Sequence, residues 1–172
     1  MTNDLTLFVG YGDGRQDFRL PGKNLLAALE PVPVSPGARG AEAVRNALRS
    51  PIGAPFLKEI VKPGDKIALI TSDITRPFPG HTVLPVILEE LLSAGCLPED
   101  ISVVFALGSH RPHTEAEKRK LVSDAVYDAF ECIDSSDDGF VHMGETKNGT
   151  PVDIMRRVAE ADVRIGWAKA SR

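Results

Sequence analysis

The residues best suited to chemistry gather where two apolar runs end. "IALITS" (67–72) gives way to "DITRPFPG" (73–80), and "ISVVFAL" (101–107) gives way to "GSHRPH" (108–113). Each ending puts polar side chains of distinct chemistry beside what reads as a buried strand. Arg76 offers a planar fork of donors that suits a small carboxylate, and Pro77 and Pro79 stiffen the backbone around it, so less entropy is lost when it orients on an anion. His110, after a Gly-Ser at a strand end, can present an imidazole that titrates near working pH, which suits general acid/base work. Asp73 is either a polar partner in the same cleft or a cap for the turn that follows the strand. The plainer alternatives for the other two are a surface cation for Arg76 and a structural histidine for His110. His113 adds an H-x-x-H spacing that could ligate a metal, but two ligands rarely make a site and Thr114 reads as the N-cap of the next helix, with "TEAE" as its capping pattern.

Elements must hold those residues in place. "LTLFVG" (5–10) and "RQDFRL" (15–20) around "YGDG" predict an opening hairpin. A Pro/Gly-rich connector, "EPVPVSPGARG" (30–40), precedes a helical stretch, "AEAVRNAL". Next come a helix stopped at Pro63-Gly64, a buried strand over 66–72, a helix over 81–94, a strand over 101–107 and a helix over 114–122. "ETKNGTPVDI" is a hairpin candidate, and a last helix is expected over 152–160. Strands that lack polar alternation, separated by helices, indicate an α/β fold: a mostly parallel, Rossmann-like sheet flanked by helices, with an N-terminal β-hairpin. In such sheets ligands bind outside the carboxyl ends of the strands, so both polar loops belong to the binding edge.

Composition narrows the function classes. The chain has 172 residues, 42% of them hydrophobic, which suits one α/β domain over 1–172. Net charge is −4 and the basic residues form no run, so no nucleic-acid partner is expected. No apolar stretch reaches the roughly 18 residues of a membrane span, and "MTNDLTLFVGYG" lacks the features of a signal peptide, so neither a membrane partner nor export is expected and the location reads as cytoplasmic. Cys96 and Cys132 are far from C-x-x-C spacing, in keeping with a reducing compartment and no structural zinc. "GYGDG" (10–14) has the wrong spacing for a dinucleotide-binding loop and reads as a turn. "NGT" (148–150) reads as a hairpin turn rather than a glycosylation acceptor. Phosphate-loop and nucleophile-elbow patterns are absent from the sequence. His81 and His142 read as ordinary.

The segment from "SPIGAPFLKEIVKPGDKIALITSDITRPFPG" to "FALGSHRPHTEAE" closely resembles the N-terminal domain of the nickel-dependent lactate racemase family. The likeness runs from the "YG" of the opening hairpin to "AEADVRIG". Its specific marks are the Asp-x-Thr-Arg-Pro-x-Pro and Gly-x-His-Arg-Pro strand ends. The resemblance implies a nickel pincer nucleotide in the full-length protein, which takes a hydride from C2 of a small 2-hydroxy acid and returns it to either face of the 2-keto acid. It also implies that Arg76 binds the substrate, that Asp73 orders the substrate pocket, that His110 is one of two acid/base histidines, and that Thr75 helps form the loop facing the cofactor.

In that family the "AD..I..G" strand is followed by a second catalytic histidine, a Gly-Gly-x-Lys-Ser-like loop whose lysine carries the cofactor, a nickel-ligating histidine and a further domain. This sequence ends at "DVRIGWAKASR", and Lys169 precedes the lysine position without the glycines, so it takes no cofactor role. The expectation is a fragment that has no metal site and no bound cofactor, is inactive alone, and partners the missing C-terminal domain of the same polypeptide. Two classes stay open: the substrate half of a hydroxy-acid racemase or epimerase, and a non-catalytic binding domain for a small carboxylate or phosphate.

Overall fold

The computed structural model describes residues 4–33, 37–76 and 78–167; Pro77 and Lys169 fall outside them. Contacts divide the chain into two compact units, Met1–Pro36 and Gly37–Arg172. The first holds an antiparallel hairpin, β1 (Asp4–Tyr11) and β2 (Gly14–Pro21), closed where Tyr11 pairs with Gly14. Gly12 turns there at φ 56°, a conformation that glycine adopts without strain.

The second unit is built on a four-stranded parallel sheet. Its central strands, β3 (Ile67–Ser72) and β4 (Ile101–Ala106), are nearly continuous runs of buried residues, as strands covered on both faces must be. They pair in register from Ile67–Ile101 to Ser72–Ala106. β5 (Glu131–Asp134) flanks β4, with Phe105 beside Asp134, and β8 (Val163–Gly166) flanks β3, giving the order β5-β4-β3-β8. The chain therefore builds to one side of β3 through β4 and β5, then crosses to the other side with β8. Such a reversal opens a crevice at the carboxyl ends of the two strands it separates.

Helix α3 (Gly80–Ser93) carries Leu84, Ile87, Leu88 and Leu91 at helical spacing, all at most 6% exposed, into a core shared with Ile67, Leu69, Val103 and Phe105. Burying each such side chain contributes roughly 1.5–3 kcal/mol. Four other helices pack on it: α1 (Gly40–Arg49), α2 (Leu57–Ile60), α4 (Glu115–Val122) and α5 (Asp124–Ala129). α3 begins close against α4, since a Cβ on Gly80 would lie 2.4 Å from the Leu121 carbonyl oxygen. The expected capping box is present on α4: Thr114 Oγ1 accepts from the Glu117 amide (3.3 Å) and the Glu117 carboxylate accepts from the Thr114 amide (2.9 Å).

The second hairpin forms as the Asn-Gly turn predicts, from β6 (Phe140–Glu145) and β7 (Pro151–Met155). There His142 Nδ1 meets the Asp153 carboxylate across the ladder at 2.8 Å. The helix expected over 152–160 is corrected. Residues 152–155 belong to β7, where Val152 and Ile154 are half-buried on either side of exposed Asp153 and Met155 is buried, and only α6 (Arg156–Ala159) is helical.

Candidate functional site

Both polar loops leave the sheet through tight turns. After β3, the Arg76 amide donates to the Asp73 carbonyl (3.1 Å), and the Ser72 hydroxyl donates to the Arg76 carbonyl (3.1 Å). After β4, the His110 amide donates to the Leu107 carbonyl (3.1 Å), with Gly108 at φ 59° between them. Ser72 and Ala106 are register partners, so the two turns open side by side at the carboxyl edge. Between them lies a cleft of about 250 Å³ lined by Asp73, Arg76 and His110 together with Ser72 and residues 106–109.

Asp73 is only 3% exposed and is fully engaged. Its Oδ1 accepts from the Thr75 hydroxyl at 2.8 Å, and its Oδ2 lies 2.5 Å from His110 Nδ1. Burial acts to raise the Asp73 carboxyl, but the hydrogen bonds from Thr75 and His110 and the histidine's charge outweigh it and hold the group below the ordinary carboxylate value. An ionised Asp73 accepts only, so Nδ1 of a neutral His110 carries the proton and Nε2 keeps its lone pair. The imidazole is 44% exposed on the cleft wall, and Nε2 has no hydrogen-bond partner among the described residues. That arrangement can accept a proton from a bound hydroxyl. Arg76 is exposed at the same cleft, a cation available to an anionic group.

The structure thus brings Asp73, Arg76 and His110 together. In the cleft wall Asp73 engages His110 and Thr75, and Thr75 spends its hydroxyl on Asp73. The metal-pair alternative for His113 is excluded by geometry. Its side chain is 1% exposed, Nδ1 lies 2.6 Å from Asp134 Oδ1, and Nε2 accepts the Ile74 amide at 3.1 Å. The sequence reading passed over Asp134 and Lys118, which complete this network; the available signal was a third polar strand end, "ECID", at the same sheet edge.

Beside the cleft, at the β3/β8 crevice, lies an apolar slot of about 380 Å³ walled by Ile70, Ala106, Gly166 and Trp167. The Trp167 amide donates to the Ile70 carbonyl (3.1 Å), and its buried indole Nε1 has no partner among the described residues.

Residues 11–169 match the family model described as lactate racemase N-terminal domain. A lactate racemase of Lactiplantibacillus plantarum is 32% identical over 128 residues, 72% of this chain and 30% of its own length. A lactate racemase of Thermoanaerobacterium thermosaccharolyticum is 29% identical over 162 residues, 91% of this chain and 38% of its own length. Among solved structures, the lactate racemase apoprotein from that organism superposes with a TM-score of 0.76 at 25% identity, over 94% of this chain and 38% of the neighbour. The chain spans about a third of the length of the curated relatives it matches.

Proposed function

Because the chain belongs to the lactate racemase N-terminal domain family, we propose that its cleft is the substrate site of a 2-hydroxy-acid racemase or epimerase. The carrying observation is the close Asp73–His110 pair, with His110 Nε2 unbonded among the described residues, beside the exposed guanidinium of Arg76. In this reading the substrate carboxylate lies on Arg76, held by two parallel charge-assisted hydrogen bonds. The hydroxyl at C2 faces His110 Nε2, which would take its proton when a hydride acceptor carried by the rest of the polypeptide removes the C2 hydrogen with its electron pair. The product is the planar 2-keto acid, and the same nitrogen returns the proton on reversal. Asp73 acts through the histidine, fixing its tautomer and stabilising the imidazolium.

The resemblance names a nickel pincer nucleotide as the hydride acceptor. The described residues offer such a group a wall, the apolar slot ending at Trp167, but not its ligands. Among them no group of three or more His, Cys, Asp or Glu is placed to hold a metal ion. No step is therefore assigned here to that group. Its anchoring belongs to the two-thirds of the relatives' length that this chain does not cover, and the 172 residues alone are proposed to be inactive. No helix among the described residues is long and apolar enough to cross a membrane. Cys96 and Cys132 are both free thiols, in keeping with the cytoplasmic location we propose.

The test is His110→Ala in the longest polypeptide that carries this domain, loaded with cofactor and assayed for interconversion of D- and L-lactate. The expected loss is about 10²- to 10⁴-fold in kcat with the cofactor still bound. Near-normal kcat would make His110 structural and remove the acid/base assignment.

A further inference from the structure

The histidine that the proposed reaction does not use is the more deeply buried of the pair. His113 sits behind the β3 turn, its ring edge-on to Phe105 at a centroid distance of 5.3 Å. Its backbone amide and Nδ1 both face Asp134, at 2.9 Å to Oδ2 and 2.6 Å to Oδ1. Lys118 Nζ lies 3.4 Å from both the Asp134 and Asp137 carboxylates, and Asp137 in turn accepts the Asp134 amide at 2.9 Å. The Ile74 amide donates to Nε2 at 3.1 Å, so Nε2 is an acceptor and the proton of the neutral ring sits on Nδ1, toward Asp134. Ile74 is the residue between Asp73 and Thr75, and its turn is the one that presents Arg76. A buried network with every member bonded is rigid, and a partly bonded one is costly, so this arrangement fixes the turn.

We infer that His113 is a positioning residue for the site: through the single bond from the Ile74 amide to its Nε2, the Asp134–His113 pair sets the β3 turn so that Asp73 and Thr75 meet His110. The role as positioner of a catalytic histidine rests on the function proposed above, but the geometry can be tested without turnover.

Three variants of the 172-residue chain separate the contributions. His113→Gln keeps an acceptor at the Nε2 position, His113→Asn keeps a donor to Asp134 but cannot reach Ile74, and Ile74→Pro removes the amide while leaving the histidine in its core. Proline suits this position, the second of a β-turn. Two readouts are used: amide exchange at Ile74 for the histidine variants, and the Asp73 carboxyl midpoint followed by ¹³C NMR in all three. His113→Asn is expected to speed Ile74 exchange about five-fold or more, the worth of one net hydrogen bond, and to move the Asp73 midpoint up toward the ordinary value. Ile74→Pro is expected to raise the midpoint likewise, and His113→Gln to leave both readouts close to wild type. If His113→Asn does not fold, Ile74→Pro and His113→Gln carry the decision. An Asp73 midpoint unmoved in Ile74→Pro, or raised as far in His113→Gln as in Ile74→Pro, overturns the inference. These outcomes do not depend on lactate chemistry, so a failed racemase assay leaves them standing.

Discussion

Replacing Asp73 by asparagine isolates the tautomer argument, because the side chain keeps its shape and loses its charge. In the native site Oδ1 accepts from Thr75 and Oδ2 from His110, with the imidazole bond at 2.5 Å. A hydrogen bond to a charged acceptor is worth about 1.5–3 kcal/mol, so the Nδ1–H tautomer is favoured roughly 10- to 100-fold by that contact. The substituted amide retains an acceptor for Thr75 and turns its NH₂ toward Nδ1. The histidine relieves the donor-to-donor clash by moving its proton to Nε2, the atom proposed to accept from substrate. The same exchange in the serine-protease triad lowers kcat about 10⁴-fold, and a loss of about 10² or more is expected here. Long-range ¹H–¹⁵N spectra of His110 in Asp73→Asn would show Nε2 protonated, and lactate racemisation by the cofactor-loaded enzyme would fall while cofactor loading stays constant. A variant whose His110 remains Nδ1-protonated, or whose kcat stays within about three-fold of wild type, would refute the reasoning.

Other predictions follow from separate features. Arg76→Lys preserves charge but trades a two-pronged fork for a point donor, so KM for lactate should rise about 10-fold or more with kcat little changed; an unchanged KM would place the carboxylate elsewhere. Gly80→Ala puts a methyl 2.4 Å from the Leu121 carbonyl oxygen. The resulting strain of about 1–3 kcal/mol should lower Tm by roughly 2–12 °C in a thermal scan. The bidentate hydrogen bonds from Arg111, with the Thr114 amide, pull the Glu117 carboxyl down to about 2. Its folded value lies below its unfolded one, so its stabilisation is complete above about pH 4.5 and is lost as pH falls toward about 2. Arg111→Ala should flatten the fall of Tm over that window.

The legible parts of the fold were those whose pattern is local. The apolar runs of β3 and β4, the Gly-Asp-Gly and Asn-Gly turns and the capping box at Thr114 all announce themselves within a few residues. β5 did not, because four residues with an acid at each end show no periodicity; only pairing with β4 makes them a strand. Residues 152–155 were misread because Val152, Ile154 and Met155 also suit a helix, while Pro151 at a strand's first position and the intervening Asp153 favour the hairpin. The site divides the same way. Asp73, Arg76 and His110 stand out as polar residues at buried strand ends, but their partnership depends on the register that sets Ser72 beside Ala106. The setting of His113 was hidden for the same reason as β5, since its partner Asp134 is that strand's last residue.

The outer strands of the sheet bear on how the domain behaves at high concentration. β5 and β8 are each four residues long, and each places a charged side chain along the rim, Glu131 on one and Arg164 on the other. Arg164 also folds back to donate to the Val158 and Ala159 carbonyls at 2.7 and 2.5 Å. Short, charged borders are poor templates for a neighbour's backbone, whereas a long apolar border invites fibre-like stacking. Among the described residues, the borders of this sheet therefore offer a neighbouring backbone little to pair with.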